Sequence, residues 1–219
     1  MALRKIFTVG HSTLTYESFL ELVRSVNINA IADVRTSPYS RRYSHFDRET
    51  LKERLSKHGI SYVYLGKELG GRPEHDALYR DGVADYERMA LLPSFEKGIK
   101  RVIDGAGKYQ IAMMCSEHDP LMCHRCLLVG RALSKRGQTV QHLLTSGRVL
   151  DQSEIEEQLL RFSGRQTKDM FASRDEEISS AYRDQARKVA FAQPTADTQD
   201  KDKTSQSSSK TAVSSEQRR

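Results

Sequence analysis

Tyr109-Gln110-Ile111-Ala112-Met113-Met114-Cys115-Ser116-Glu117-His118-Asp119-Pro120-Leu121-Met122-Cys123-His124-Arg125-Cys126-Leu127-Leu128-Val129-Gly130-Arg131-Ala132-Leu133 is the stretch that decides the fold. It opens as a buried strand, crosses a polar loop and closes as an apolar-faced helix. A strand that empties into a helix leaves unpaired backbone N–H groups, and the positive end of the helix dipole, beside the loop's side chains. Those side chains include the thiols of Cys115 and Cys123, the Glu117 carboxylate, the His124 imidazole and the Arg125 guanidinium.

The same alternation repeats outward in both directions. Residues 5–9 read as a strand ending in Gly10-His11-Ser12, and residues 15–26 as a helix with Phe19, Leu20, Leu22, Val23 and Val26 near one face. Residues 28–34 form the next strand, apolar enough for burial on both faces. A polar and aromatic loop broken by Pro38 leads to a helix from Asp47 that stops at Gly59, and residues 60–65 form a third strand. A glycine-rich loop, Gly66 to Pro73, follows, then a loop with one short helix near residues 86–92. Pro93 or Ser94 opens a helix that stops near Gly105 or Gly107. Beyond the organising stretch, the helix ends at Gly137, residues 139–144 form a fifth strand, and Asp151-Gln152-Ser153-Glu154 is a capping box for a last helix.

This pattern predicts an α/β domain over residues 1–164: three layers, a mostly parallel sheet of about five strands, helices on both faces. Residues 165–192 read as a charged helix or a linker. Residues 193–219 hold almost nothing to bury and read as a disordered tail.

A chain of 219 residues suits one domain with an appendage. No apolar run is long enough to cross a bilayer, and the start shows no signal-peptide core, so a cytoplasmic protein without a membrane partner is expected. Three cysteines within twelve positions suit a reducing compartment rather than a disulfide framework. The net charge is +6, with 24 Lys and Arg against 20 Asp and Glu in residues 1–164. That excess is mild, so a basic footprint would be local, with Arg35, Arg41, Arg42, Arg48, Lys52 and Arg72 as its candidates, or these are a solvated face.

Parallel strands point one way, and such sheets bind ligands outside their carboxyl ends. The strand ends Gly10-His11-Ser12, Asp33-Val34-Arg35, Gly66 to Arg72 and Cys115-Ser116-Glu117 would therefore meet along one rim. The catalytic candidates are Cys115 as a nucleophile, and Glu117 and His11 as general acid and base. Their bland alternatives are a small buried hydrophobe and two hydrogen-bond braces. Ser12, Arg35, Arg41 and Arg72 are candidate ligand-binding groups, and His124 with Arg125 reads as an anion clamp at a helix start. Asp33 either joins the site or salt-bridges Arg35, and Gly70-Gly71 permits close approach to a ligand or only a tight turn. Cys115, Cys123, His124 and Cys126 hold zinc-type donors. Adjacent Cys-His pairs rarely reach one ion together, and core packing suits Cys126 better, so neither metal nor cofactor is expected.

The motifs Gly10-His11-Ser12, Asp33-Val34-Arg35 with Pro38 and Ser40-Arg41, Phe46, Tyr64-Leu65-Gly66 with Leu69-Gly70-Gly71-Arg72, and Cys115-Ser116-Glu117 with Asp119-Pro120 and Cys123-His124-Arg125 resemble those of the domain of unknown function 488 family. The resemblance spans roughly residues 5–145 and implies a compact α/β domain, with no family-wide activity to carry over. Cys126 and the C-terminal segment lie outside its pattern. The Asp33-Val34-Arg35 strand end also resembles rhodanese-like domains, but the loop length differs. A phosphatase loop fits poorly, since Arg125 follows Cys115 by ten residues rather than about six.

Two functions remain. One is an enzyme acting on a phosphorylated or nucleotide-like anion at the rim. The other is a non-catalytic module that binds nucleic acid or a nucleotide through the same rim and the Tyr39 to Tyr43 loop, where aromatics lie between arginines.

Overall fold

The computed structural model describes residues 5–164 and 172–193. Strand β1 (Ile6–Gly10) leads to helix α1 (Tyr16–Ser25), strand β2 (Ala30–Asp33), helix α2 (Arg48–Ser56) and strand β3 (Ser61–Tyr64). A single helical turn, α3 (Gly66–Leu69), precedes the hairpin of β4 (Tyr79–Arg80) and β5 (Val83–Ala84), then α4 (Tyr86–Met89) and α5 (Pro93–Ala106). The organising stretch supplies β6 (Ile111–Cys115), a π-helical segment (Arg125–Gly130) and its continuation α6 (Arg131–Ser134). Strands β7 (Val140–Leu143) and β8 (Val149–Asp151) and helices α7 (Gln152–Phe162) and α8 (Arg174–Val189) complete the order.

The main sheet runs β3-β2-β6-β1-β7-β8, parallel except for β8, which is antiparallel to β7. Crossover helices cover both faces of parallel strands, and every residue of β1, β2 and β6 is buried. The period of two divides the core. On β6, Ile111, Met113 and Cys115 pack on one side with Phe95, Ile99 and Val102 of α5, while Ala112 and Met114 pack on the other with Phe19 of α1 and Leu51 of α2. Three layers result, as the alternation predicts.

Capping fixes where the helices start. The Thr15 hydroxyl accepts the Ser18 N–H at 3.2 Å, Pro93 sits in the first turn of α5, and Asp151 and Glu154 form the expected capping box of α7.

The sheet has six strands rather than about five, because β8 is only three residues long and shows no periodicity of its own. The helix after Cys123 is not α-helical throughout: the Arg131 N–H bonds the Cys126 carbonyl five residues back. The segment expected as a charged helix or linker carries α8, which buries Ala181 and Tyr182 against the domain. Its exit continues the β5 edge, with Ala84 N–H bonded to Phe191 O at 2.9 Å and Gln193 N–H to Gly82 O at 2.8 Å. Gln193, expected as the first residue of a disordered tail, is therefore paired. The rest of that expected tail, residues 194–219, lies outside the described residues.

Strand β6 lies between β2 and β1, so the chain order reverses beside it. This is the switch point at which α/β sheets open a crevice at their carboxyl ends.

Candidate functional site

The strand ends are stitched together before any side chain is considered. His11 N–H bonds Cys115 O at 2.9 Å, Ser12 N–H bonds Ser116 O at 2.9 Å, and Val34 N–H bonds Met114 O at 3.0 Å. Gly10 allows this closeness: a Cβ there would stand 1.8 Å from the Glu117 carbonyl oxygen. Beyond the stitched ends lies a polar cavity of about 270 Å³, bordered by Arg35, Ser37, Arg72, Tyr86, Glu117 and Phe191, with Cys115, Cys123 and His124 on its inner wall. A second opening beside it, bordered by His11, Ser12, Tyr39 and Tyr43, shares Arg35, Ser37, Ser116 and Glu117. The rim segments expected to meet do meet.

At the inner wall the Cys115 and Cys123 thiols both donate to Glu117 Oε2, at 2.8 and 3.0 Å. His124 Nε2 lies 2.9 Å from the Val34 carbonyl oxygen. A carbonyl only accepts, so Nε2 carries a hydrogen, and in the neutral ring the lone pair is on Nδ1. That lone pair lies 3.8 Å from Cys115 Sγ and 3.9 Å from Cys123 Sγ. One donor atom each from Cys115, Glu117, Cys123 and His124 falls within 4.8 Å of the other three, which makes these four, among the described residues, a group able to hold a metal ion. Adjacent Cys123 and His124 reach one point, contrary to the sequence expectation. Cys123 is extended (φ −142°, ψ 139°) and His124 begins the helix (φ −59°, ψ −26°), so the chain bends between them and brings the side chains together.

Burial, the hydrogen bond with Cys123 and the negative charge of Cys123 and Glu117 push the Cys115 thiol well above its usual range. Burial also opposes ionisation of Cys123, but the hydrogen bond from Cys115 and the positive charge of Arg125 and His124 outweigh it and bring that thiol well down. Of the two sulfurs, Cys115, the expected nucleophile, is the one whose proton is held harder, and Cys123 is the one that gives its proton up more readily. Burial and the Cys123 charge raise the Glu117 carboxyl as well, although the residue as a whole is exposed on the cavity side.

The remaining candidates divide between brace and rim. Arg125 is 1 % exposed, and its fork donates to Glu117 O at 2.7 Å and His118 O at 3.1 Å. It fixes the loop and is not open as an anion clamp; its partner in that expected clamp, His124, faces the thiols. Asp33 grips Arg35 through Nε and Nη2, and accepts the Tyr62 hydroxyl at 2.6 Å, so it is a salt-bridge partner rather than a ligand contact. Arg35 also donates to Phe46 O at 2.8 Å, yet it borders both openings. His11 bonds Ser12 O at 3.0 Å through Nδ1, faces Arg35 Nη1 through Nε2, and stacks on Phe46. Burial and the Arg35 charge lower its pKa to about 4. Both ring nitrogens are thus engaged, by the Ser12 carbonyl and by Arg35. Ser12 stands at φ 48° in the second opening. Gly70 packs on Thr36, and a Cβ on Gly71 would come within 2.8 Å of the His124 ring, so the close approach made at Gly71 is to His124. Arg72 is exposed at the cavity mouth with its guanidinium 4.8 Å from the centre of the Phe191 ring. Arg41 is exposed and borders neither opening.

Sequence reasoning missed Tyr86, Val189 and Phe191 as cavity residues. Tyr86 opens the short helix expected near residues 86–92, with Asp85 capping it by accepting the Glu87 and Arg88 N–H groups, but nothing in its neighbourhood marked it as a cavity residue. Val189 and Phe191 belong to a segment far along the chain that shares no motif with the rim.

No curated protein matches the chain, and no solved structure does. No helix among the described residues is long and apolar enough to cross a membrane. The sequence profile of the domain of unknown function DUF488 matches residues 15–132, which takes in β2, the glycine-rich loop and the whole Cys115 to Arg125 loop, and leaves β1 with Gly10-His11-Ser12 outside. That span is more than half of the chain, and this protein belongs to the DUF488 family.

Proposed function

We propose that the domain is an enzyme that takes a small phosphorylated or nucleotide-like anion into the crevice at the carboxyl ends of its strands. One observation carries this: a cationic side chain at the mouth, Arg72, and a proton-holding cluster at the inner wall, Glu117 with the two thiols, border the same polar cavity. Arg72 has no ion pair among the described residues, so its fork is available to an oxyanion. Arg35, held in place by its ion pair with Asp33, borders the same cavity. Glu117, raised by burial and by the Cys123 charge, is suited to exchange a proton with substrate. The cavity volume suits a compact ligand.

The test is titration of the chain with inorganic phosphate, nucleoside monophosphates and sugar phosphates, followed by turnover assays on whatever binds. Binding weakened in Arg72→Ala, with turnover lost but binding kept in Glu117→Gln, supports the enzyme. If none of these compounds binds the wild type more tightly than Arg72→Ala, the proposal fails. A non-catalytic nucleic-acid module draws support from Tyr39, which is 60 % exposed on the second opening and close in the chain to the exposed Arg41 and Arg42. Salt-dependent oligonucleotide binding without turnover, lost in Tyr39→Ala, selects that reading instead.

A further inference from the structure

The geometry points to a zinc site at the inner wall of the crevice, with Cys115 Sγ, Cys123 Sγ and His124 Nδ1 as fixed ligands and the Glu117 carboxylate as the exchangeable fourth. This goes beyond the anionic-substrate reading and stands without it, since an ion held here needs no substrate.

Donor chemistry comes first. Two sulfurs, one imidazole nitrogen and one carboxylate oxygen are the ligand types that zinc takes in tetrahedral sites, and the sulfurs disfavour magnesium or calcium. Distances come second. Zinc–sulfur and zinc–nitrogen bonds of ordinary length put sulfur and nitrogen about 3.6 Å apart on a tetrahedron. The observed Sγ to Nδ1 separations are 3.8 and 3.9 Å, so these ligands need hardly move. The Glu117 oxygen lies 2.8 and 3.0 Å from the sulfurs, short of the tetrahedral edge by roughly half an ångström. It sits on the cavity side of an exposed residue and has room to withdraw, which makes it the ligand that a water or substrate group can replace.

The outer shell is also in place. His124 gives its Nε2 hydrogen to the Val34 carbonyl, which leaves Nδ1 aimed at the sulfurs; metal-bound histidines are oriented in this way. Gly71 packs on the imidazole and keeps its plane. Arg125 ties down the Glu117 and His118 carbonyls, which fixes the loop between the two cysteines, and its N–H lies 3.4 Å from Cys123 Sγ. Cys126, the other cysteine, is fully buried in the apolar core, in the hydrophobic cluster on its side of the sheet, and takes no part.

The experiment uses the untagged full chain, reduced and stripped with a chelator, then titrated with zinc and separately with cobalt(II). The expected result is one ion per chain, with thiolate-to-cobalt charge transfer and the intense visible bands of a tetrahedral site. Cys123→Ser and Cys115→Ser should weaken zinc at least 100-fold and remove the charge-transfer band in proportion to the sulfurs lost. Glu117→Gln should weaken it about tenfold and keep both sulfur bands, and Cys126→Ser should change nothing. Circular dichroism checks that each variant is folded, and the wild-type titration decides the matter even where a variant is not. Wild-type protein that takes up no zinc below ten micromolar overturns the site, as does undiminished binding in a folded Cys123→Ser chain or binding that depends on Cys126. Failure here leaves the Arg72 titrations with phosphorylated compounds untouched, so the two ideas fall separately.

Discussion

Two polar clusters lie on this sheet, one on each side of β1, and they differ in how their hydrogen bonds are balanced. Between β1 and β7 the Thr8 hydroxyl pairs with His142 Nδ1 at 2.8 Å, and His142 Nε2 pairs with Gln152 Oε1 at 3.0 Å. Gln152 then donates to the Tyr182 hydroxyl, which donates to Glu156 Oε1 at 3.2 Å. Each donor in that row meets one acceptor, and the row ties α7 and α8 to the sheet. Between β1 and β2 the Cys115, Glu117, Cys123 and His124 cluster holds more lone pairs than hydrogens to fill them. Its surplus faces a cavity. The first arrangement is complete within the protein and stabilises it; the second is complete only with a proton donor, a cation or a ligand.

If that contrast is right, changes on the two sides of β1 should strike different properties. The largest effect is expected for Glu117→Gln. It should cut turnover of any phosphorylated compound the wild type processes by about 10² to 10⁴-fold, with unfolding free energy held within about 1 kcal/mol. Steady-state kinetics beside urea unfolding measures both, and a stability loss equal to the activity loss would break the comparison. Tyr182→Ala reverses the pattern. Removing a buried aromatic and orphaning the Gln152 amide should destabilise the fold by about 3–5 kcal/mol, while a zinc or phosphate titration on the surviving folded fraction stays unchanged.

Acid should find the closed row as well. Burial, only partly offset by the Gln152 hydrogen bond, lowers the His142 pKa to about 4 from its ordinary 6.5. The unfolded chain therefore takes up the proton first as the pH falls. This contribution is intact above about pH 6.5 and disappears between about 6.5 and 4, by about 2–3 kcal/mol. Urea midpoints across that window measure it, and His142→Asn should flatten the slope. The smallest effect belongs to Arg72→Ala, which should weaken a phosphorylated ligand about fivefold to tenfold and leave stability alone, because the side chain is exposed. A calorimetric titration reads the affinity; an unchanged value removes Arg72 from the site.

Much of the frame was legible in the chain. Gly10-His11-Ser12, Asp33-Val34-Arg35, Gly66 to Arg72 and Cys115 to Glu117 all read as strand ends, and parallel order was enough to bring them to one rim. The capping box at Asp151 and Glu154 marked α7. The hairpin of β4 and β5 was legible but unread: Asp81-Gly82 supplies two successive positive φ values, 53° and 75°, which that tight turn demands. Strand β8 left no periodic trace. Roles within the site were harder to see. Arg125 has the chemistry of an anion clamp and spends it on two carbonyls of its own loop, and a sequence shows the guanidinium but not its partners.

Residue type and period alone determined the layered α/β domain, the direction of its strands and the edge where its polar loops gather, since local patterning and crossover geometry act through neighbours in the chain. Tertiary structure alone decided which polar groups are filled and which are left open. The bend between Cys123 and His124, the carbonyl of Val34 that sets the imidazole tautomer, and the return of Phe191 to roof the cavity each depend on contacts between distant segments. A side chain's chemistry is written at its own position, but the supply of partners around it is a property of the packed whole.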